Sequence, residues 1–224
     1  MDGTRTYLVG TGRVAVVDPG PDISQHLDDI VAGLEGAEAV TVLLTHEHGD
    51  HAGGAPALAD RLGIDTWGPG GSRALEDGMS FETELGTLRA VATPGHTEEH
   101  YCFHLESLGA VFVGDLLLGR GDTTWIGEYR GGVADYLESL DRLEELGPRT
   151  LYPGHGPPLS DPAEAIGRFR AHRRARIDQV RQVLASSPSA SVDEVLGVVY
   201  ADVPEALWGP ARRSVEAILD YLKP

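Results

Sequence analysis

Thr45-His46-Glu47-His48-Gly49-Asp50-His51 follows directly on the apolar run Val40-Thr41-Val42-Leu43-Leu44. Three histidines and one aspartate therefore crowd the loop at the end of a strand-like segment. Imidazole and carboxylate together suit zinc and its first-row neighbours. His46 and His48 are two apart, so on extended chain they face the same way, with Glu47 facing the other. Asp50 and His51 fall on the turn that follows, where Gly49, Gly53 and Gly54 permit tight backbone geometry. A cluster of this density predicts two neighbouring metals rather than one.

Further ligand types recur downstream in the same setting. Thr93-Pro94-Gly95-His96-Thr97 follows the apolar stretch 88–92. Val111-Phe112-Val113-Gly114-Asp115 ends a second such run in a carboxylate, and Leu151-Tyr152-Pro153-Gly154-His155-Gly156 ends a third in a histidine. Each is a short β-rich run, then a turn residue, then a ligand. The repetition predicts strands that deliver their ligands to one edge of a sheet system.

These four motifs, in this order, resemble the metallo-β-lactamase-fold hydrolases, nearest to the β-lactamase-like protein 2 branch, with glyoxalase II as a relative. Supporting stretches are 3–10, Val17-Asp18-Pro19-Gly20-Pro21, 119–124, 135–140 and 172–176. The resemblance implies an α/β fold, an αββα sandwich with the metals at one edge. It places His46, His48 and His96 on a first metal and Asp50, His51 and His155 on a second, with Asp115 bridging. It implies two Zn²⁺ ions, other divalent metals being alternatives, and a metal-bridging hydroxide that attacks an ester or thioester. Asp50 is also the candidate catalytic carboxylate. The family normally carries a further opening strand before the segment matching 3–6, and an Asn where Arg5 stands. Either the start is assigned late or the first sheet lacks a strand.

Residues around these ligands are the candidates for orienting them or touching substrate. Asp18, at the end of the strand 14–17, is placed to hold a ligand histidine; the alternative is a turn aspartate before Pro19. His100 lies four after His96, lining the pocket or opening the strand 101–103. The loop 118–132 follows Asp115 and offers Thr123, Thr124, Trp125 and Tyr129 among five glycines. A flexible pocket wall and a loop anchored on its own aromatics are equal readings. His26, His104 and His172 read as ordinary, partly exposed histidines. Cys102 reads as a small buried hydrophobe.

Strand-like runs lie near 6–9, 13–17, 40–45, 64–67, 79–84, 87–92, 100–105, 110–114 and 149–152. Helical patterns lie near 22–35, 52–62 and 133–146, the last with apolar residues at three- to four-residue spacing. Pro157 to Pro162 mark a boundary between a catalytic domain, 1–160, and a C-terminal helical domain, 161–224. Its first helix, to about Ser186, begins at Ser160 or Asp161 and buries Ile166, Phe169, Ile177, Val180 and Leu184. Arg168, Arg170, Arg173, Arg174, Arg176 and Arg181 surround that stripe, as a solvated face or as an anion-recognition face. With helices near 191–200 and 205–222, the tail resembles a winged helix lacking a full wing. It reads as a packing or homodimer element.

The 224 residues carry a net charge of −17, all of it in residues 1–160, which hold nine basic and 26 acidic side chains. Long-range repulsion disfavours a polyanion, although salt screens it beyond about 8 Å. A bridging carboxylate at Asp115 disfavours β-lactam hydrolysis within the resembled family, and the histidine at 48 disfavours diiron redox chemistry. Thioester or ester hydrolysis and single-stranded RNA cleavage remain. The acidic charge tilts the reading to a small-molecule acyl substrate, with a metal-dependent endoribonuclease as alternative. A DNA-binding regulator with a structural metal would need a basic last helix, which the sequence lacks. No apolar run approaches the ~18 residues of a membrane span. A single cysteine and an N-terminus without a signal-peptide pattern point to the cytoplasm.

Overall fold

Alternation of apolar side chains along the strands sets the layering. The structure, a computed structural model, describes residues 3–223. In β2 (Arg13–Val17), Ala15 and Val17 face one way and Val14 and Val16 the other, and both faces are buried. A strand buried on both sides must lie between two layers. β2 belongs to a four-stranded sheet, β1-β2-β3-β4, with β1 (Tyr7–Val9), β3 (Glu38–Leu43) and β4 (Thr66–Trp67). The second sheet is five-stranded: β5 (Ser80–Thr83), β6 (Gly86–Ala92), β7 (Tyr101–Leu105), β8 (Ala110–Gly114) and β9 (Thr150–Pro153), in that order.

The two sheets face each other across one core. Ala15, Val17 and Leu43 from the first sheet meet Leu88, Ala90, Phe103, Leu105 and Phe112 from the second. Each large apolar side chain buried there contributes roughly 1.5–3 kcal/mol. The outer face of the first sheet, Val14, Val16, Val42 and Leu44, is covered by α1 (Ser24–Gly33) and α3 (Ala55–Leu62). Cys102, Val111, Val113 and Leu151 on the outer face of the second are covered by α4 (Gly132–Glu145) and the C-terminal helices. The result is the expected αββα sandwich.

Two details depart from the sequence reading. The helical pattern 52–62 is two helices, α2 (Gly49–Ala52) and α3, because the chain turns at Gly53-Gly54. His104, expected to be partly exposed, is 4% exposed. Its cross-strand neighbours Arg89 and Val111 flank it in the second sheet.

The C-terminal helices are α5 (Pro162–Ser186), α6 (Val192–Val199) and α7 (Trp208–Tyr221). Asp161 caps α5 by accepting the Glu164 N–H at 3.0 Å, with Pro162 at the first turn. A Ser191–Glu194 capping box starts α6. Among the described residues no strand follows β9, so the tail is helical and has no wing hairpin. Among the same residues no helix is long and apolar enough to cross a membrane.

One acidic clamp ties the two sheets together. The Glu84 carboxylate, after β5, accepts the backbone N–H groups of Thr11, Gly12 and Arg13 and the Thr11 hydroxyl. The Thr11 hydroxyl and these N–H groups favour the charged form and pull the Glu84 pKa to about 2 from 4.5. A depressed carboxylate stabilises the fold above its unfolded pKa and loses that contribution as pH falls through its folded pKa. Glu84→Gln should therefore lower the melting temperature at neutral pH, and the gap to wild type should close between about pH 4.5 and about pH 2. Thermal melts across that range check this; a gap that stays constant would show that the charge contributes nothing.

Candidate metal centre

Strand direction explains why distant ligands meet. β6 and β8 each run antiparallel to β7, and β9 runs parallel to β8, so the ends of β6, β8 and β9 open on one edge. His96 follows β6, Asp115 follows β8 and His155 follows β9. The first sheet adds its own loop after β3, joined to the second sheet where the Tyr101 N–H donates to the Thr45 carbonyl at 2.8 Å.

All seven sequence-predicted ligands are brought together there. His46 Nε2 and His96 Nε2 lie 3.0 and 3.2 Å from His48 Nδ1. His155 Nε2 and His51 Nε2 lie 3.2 and 3.8 Å from Asp50 Oδ2. Asp115 reaches both groups, with Oδ1 3.4 Å from His51 Nε2, and Oδ2 3.5 Å from His155 Nε2 and 3.8 Å from His96 Nε2. Such close, convergent nitrogens repel one another unless a proton or a cation sits between them.

The opposite nitrogen of every one of these histidines is engaged. His51 Nδ1 meets Asp18 Oδ2 at 2.8 Å, and His96 Nδ1 meets the Trp125 carbonyl at 2.9 Å. His155 Nδ1 meets the Gly3 carbonyl at 3.0 Å, and His48 Nε2 meets Glu128 Oε1 at 3.3 Å. His46 Nδ1 meets Thr45 Oγ1 at 3.0 Å, whose own proton goes to Asp18 Oδ2 at 2.7 Å. Each partner is an acceptor, so each ring donates outward and leaves its other nitrogen facing inward. Asp18 holds three groups at once, including the Thr45 N–H at 2.8 Å, and does so from a left-handed backbone with φ 48°.

Electrostatics fit the same arrangement. Burial, with His51, His100 and His96 nearby, holds His46 neutral, far below the usual histidine range. Burial also lowers His96. For His51 burial opposes charge, but Asp18 and Asp115 outweigh it and raise its pKa to about 10, so without a metal its inward nitrogen holds a proton that a bound cation would displace. Burial would likewise raise Asp115, yet His155 and His51, 3.5 and 3.4 Å from its oxygens, hold it ionised. His51 Nε2 and Asp115 Oδ1 are nonetheless buried without a hydrogen-bond partner among the described residues. Unpartnered buried nitrogen and carboxylate oxygen at one point, in an all-imidazole and carboxylate set, fit a divalent cation.

The remaining candidates separate by exposure. His100 is 1% exposed, with Nδ1 2.9 Å from Thr93 Oγ1, so it stands behind His46 rather than on the open face. Burial, then His96, lowers its pKa to about 3. Thr124 is buried and Thr123 exposed, while the half-buried Trp125 ring lies 6.3 Å from His96. Tyr129 donates to Asp135 Oδ2 at 2.8 Å and lines a groove of about 510 Å³ with Glu47, Thr97, Glu98, Glu99 and Glu128. Cys102 is buried, which pushes its thiol up to about 12. Gly49 does not use the freedom expected of it: it opens α2, with no positive φ and nothing near its missing side chain.

Five of the six arginines of α5 are engaged by other groups, and Arg174 is exposed. Arg168 pairs with Glu164, Arg170 with Asp141 and Glu144, and Arg181 with Asp178. Arg176 bonds the Val199 carbonyl and lies over Tyr200. Arg173 is buried. Acidic neighbours and backbone carbonyls thus hold most of the charge of this helix.

Sequence reasoning missed several positions. Thr4 Oγ1 donates to Asp50 Oδ2 at 3.2 Å, and Arg5 bonds Gly154 and Gly156. The Gly3 and Trp125 contacts are backbone carbonyls, for which no residue type is diagnostic. Glu128 is 80 positions from His48. Only Thr45, a hydroxyl beside the first ligand, carried a readable signal.

Comparison with known proteins agrees with this geometry. The family described as the metallo-beta-lactamase superfamily matches residues 2–72 and 69–155, and the beta-lactamase associated winged helix domain matches residues 191–223. A beta-lactamase-like protein 2 homolog of Caenorhabditis elegans is 29% identical over 243 residues, covering 99% of this chain and 79% of that protein. An atrochrysone carboxyl ACP thioesterase of Aspergillus chevalieri is 36% identical over 221 residues, covering 92% and 70%. The crystal structure of a metallo-beta-lactamase family protein from Thermus thermophilus superposes with a TM-score of 0.81 at 25% identity, covering 98% of this chain and 88% of that one.

Proposed function

This chain belongs to the metallo-β-lactamase superfamily, and from that premise we propose that it is a dinuclear zinc hydrolase of acyl thioesters. The observation that carries the reading is the pair of three-residue ligand sets joined by Asp115. His46, His48 and His96 would hold one ion, Asp50, His51 and His155 the other, and Asp115 both. Two zinc ions supply Lewis acidity for a carbonyl oxygen and lower the pKa of water to about 7.

The chain's own residues supply orientation and proton handling. Asp18, Trp125 and Gly3 fix the tautomers of His51, His96 and His155 from outside the ligand set. The Asp50 side chain is 52% exposed, against 12% for Asp115. Asp50 is therefore the carboxylate placed to take a proton at the open face, while Asp115 ties the two sets together.

The groove lined by Glu128, which meets His48, supports the choice of substrate class. Four glutamates, Glu47, Glu98, Glu99 and Glu128, line it. They repel a phosphate backbone entering there but not an uncharged acyl group whose carrier stays outside. The thioesterase among the relatives supports the same choice. Two measurements test the proposal. Elemental analysis of protein purified without chelator should approach two zinc per chain; iron or manganese would keep the ligand set but change the metal. Turnover on acyl-CoA, acyl-carrier and hydroxyacyl-glutathione panels should exceed cleavage of single-stranded RNA. RNA cleavage with no thioester turnover would overturn the substrate assignment, and a folded protein that stays metal-free after reconstitution would overturn the hydrolase centre.

A further inference from the structure

Arg173 lies in the apolar stripe of α5, between Phe169 and Ile177, and is 3% exposed. Among the described residues no carboxylate forms an ion pair with it, and its Nε has no partner. A buried, unpaired guanidinium is costly, and an apolar side chain of similar length would fill the position. Its contacts suggest what offsets that cost. Nη2 donates to the Thr124 carbonyl at 2.9 Å, and the guanidinium sits 5.5 Å over the Tyr136 ring. The next residue along the loop, Trp125, gives the carbonyl that accepts from His96 Nδ1 at 2.9 Å.

The same loop is gripped from α7. Ser214 Oγ donates to the Ile126 carbonyl at 3.3 Å, and Arg213 lies 5.7 Å over the Trp125 ring. A side chain on Gly127 would stand 2.9 Å from the Arg213 carbonyl, so backbone meets backbone there. Four consecutive residues, 124–127, are thus held by two tail helices, and one of them orients His96.

We propose that the C-terminal helices act as a positioning element for the metal centre, with Arg173 setting His96 through the Thr124–Trp125 segment. This rests on the reading of His96 as a ligand. It gives the tail a task inside its own chain: a rigid backing for residues 124–127 of the loop between Asp115 and α4. Arg173 is a positioning residue and touches no reacting atom.

The test is made on the full chain loaded with Co²⁺, whose visible absorption reports the ligands at each site. Arg173→Met keeps the length and removes the donor. It should melt cooperatively, bind the first metal about 10–100-fold more weakly, as loss of an outer partner of a ligand does, and alter the cobalt spectrum. In a His96→Ala background Arg173→Met should add little further loss, because both act on one ligand. Ser214→Ala, a milder change, should shift the spectrum in the same direction and serves if Arg173→Met does not fold. Arg176→Met, which loses only tail contacts, should lower the melting temperature and leave the spectrum alone. Wild-type affinity and spectrum in both Arg173→Met and Ser214→Ala would overturn the inference, as would losses fully additive with His96→Ala. If wild-type protein binds no metal, the hydrolase reading falls instead. The inference is then read from the ring nitrogen resonances of His96 in the metal-free protein: unchanged resonances in Arg173→Met overturn it, altered ones support it.

Discussion

Replacing Asp115 by alanine should reduce hydrolysis to the metal-free background and leave about half of the bound metal. Asp115 reaches both ligand sets, through Oδ1 to His51 and through Oδ2 to His155 and His96. Without it His46, His48 and His96 still converge, with nitrogens 3.0 and 3.2 Å apart. The second set keeps only the exposed Asp50 and two histidines, so its ion should be lost first. The proposed metal pair would supply several kcal/mol of charge stabilisation, so its loss should cost about 10³-fold in rate. The fold should survive, because Asp18 still balances a proton on His51 at 2.8 Å. Metal content, turnover and a melting curve of the variant check this together. Two equivalents of metal with undiminished turnover would remove Asp115 from the joining position.

How much of this was readable depended on whether a contact is written in a side chain. The strands of both sheets were legible because alternation exposes them: Val14 and Val16 against Ala15 and Val17, Phe103 and Leu105 against Cys102. The convergence of His96, Asp115 and His155 was legible because each follows an apolar run that ends in a turn. The outward partners were mostly illegible. Gly3 and Trp125 act through carbonyls, which every residue has, and the Gly3 contact spans 152 positions. Asp18 could be suspected from its place after β2, but its three-way grip needs Thr45 and His51 folded onto it. Arg173 was hidden differently. It fell among other arginines and read as surface charge, although its spacing from Phe169 and Ile177 puts it on the buried stripe.

Glycine is where sequence and structure rank positions most differently. Gly49, inside the histidine motif, and Gly154, before His155, look equally tied to the metals. A side chain added at Gly49 meets nothing within 4 Å, whereas one at Gly154 would stand 2.5 Å from His51 Cε1 and 2.8 Å from Asp115 Oδ1. Neither neighbour can yield. His51 is fully buried and fixed by Asp18, and Asp115 is held between His51 and His155. The Gly154 backbone is pinned as well, its N–H to the Gly114 carbonyl at 2.7 Å and its carbonyl to the Arg5 N–H at 2.8 Å. Gly154→Ala should therefore displace a ligand, empty the second site and cut turnover by roughly 10²–10³-fold, the scale at which misplacement of reacting groups is felt. Gly49→Ala should keep both metals and gain stability by about 0.4–1 kcal/mol, because alanine fits this backbone and leaves the unfolded chain less freedom to lose. Metal analysis and melting curves of the two variants side by side decide the matter. Full metal content in Gly154→Ala, or loss of metal in Gly49→Ala, would mean that the packing around His51 and Asp115 is not what fixes the centre.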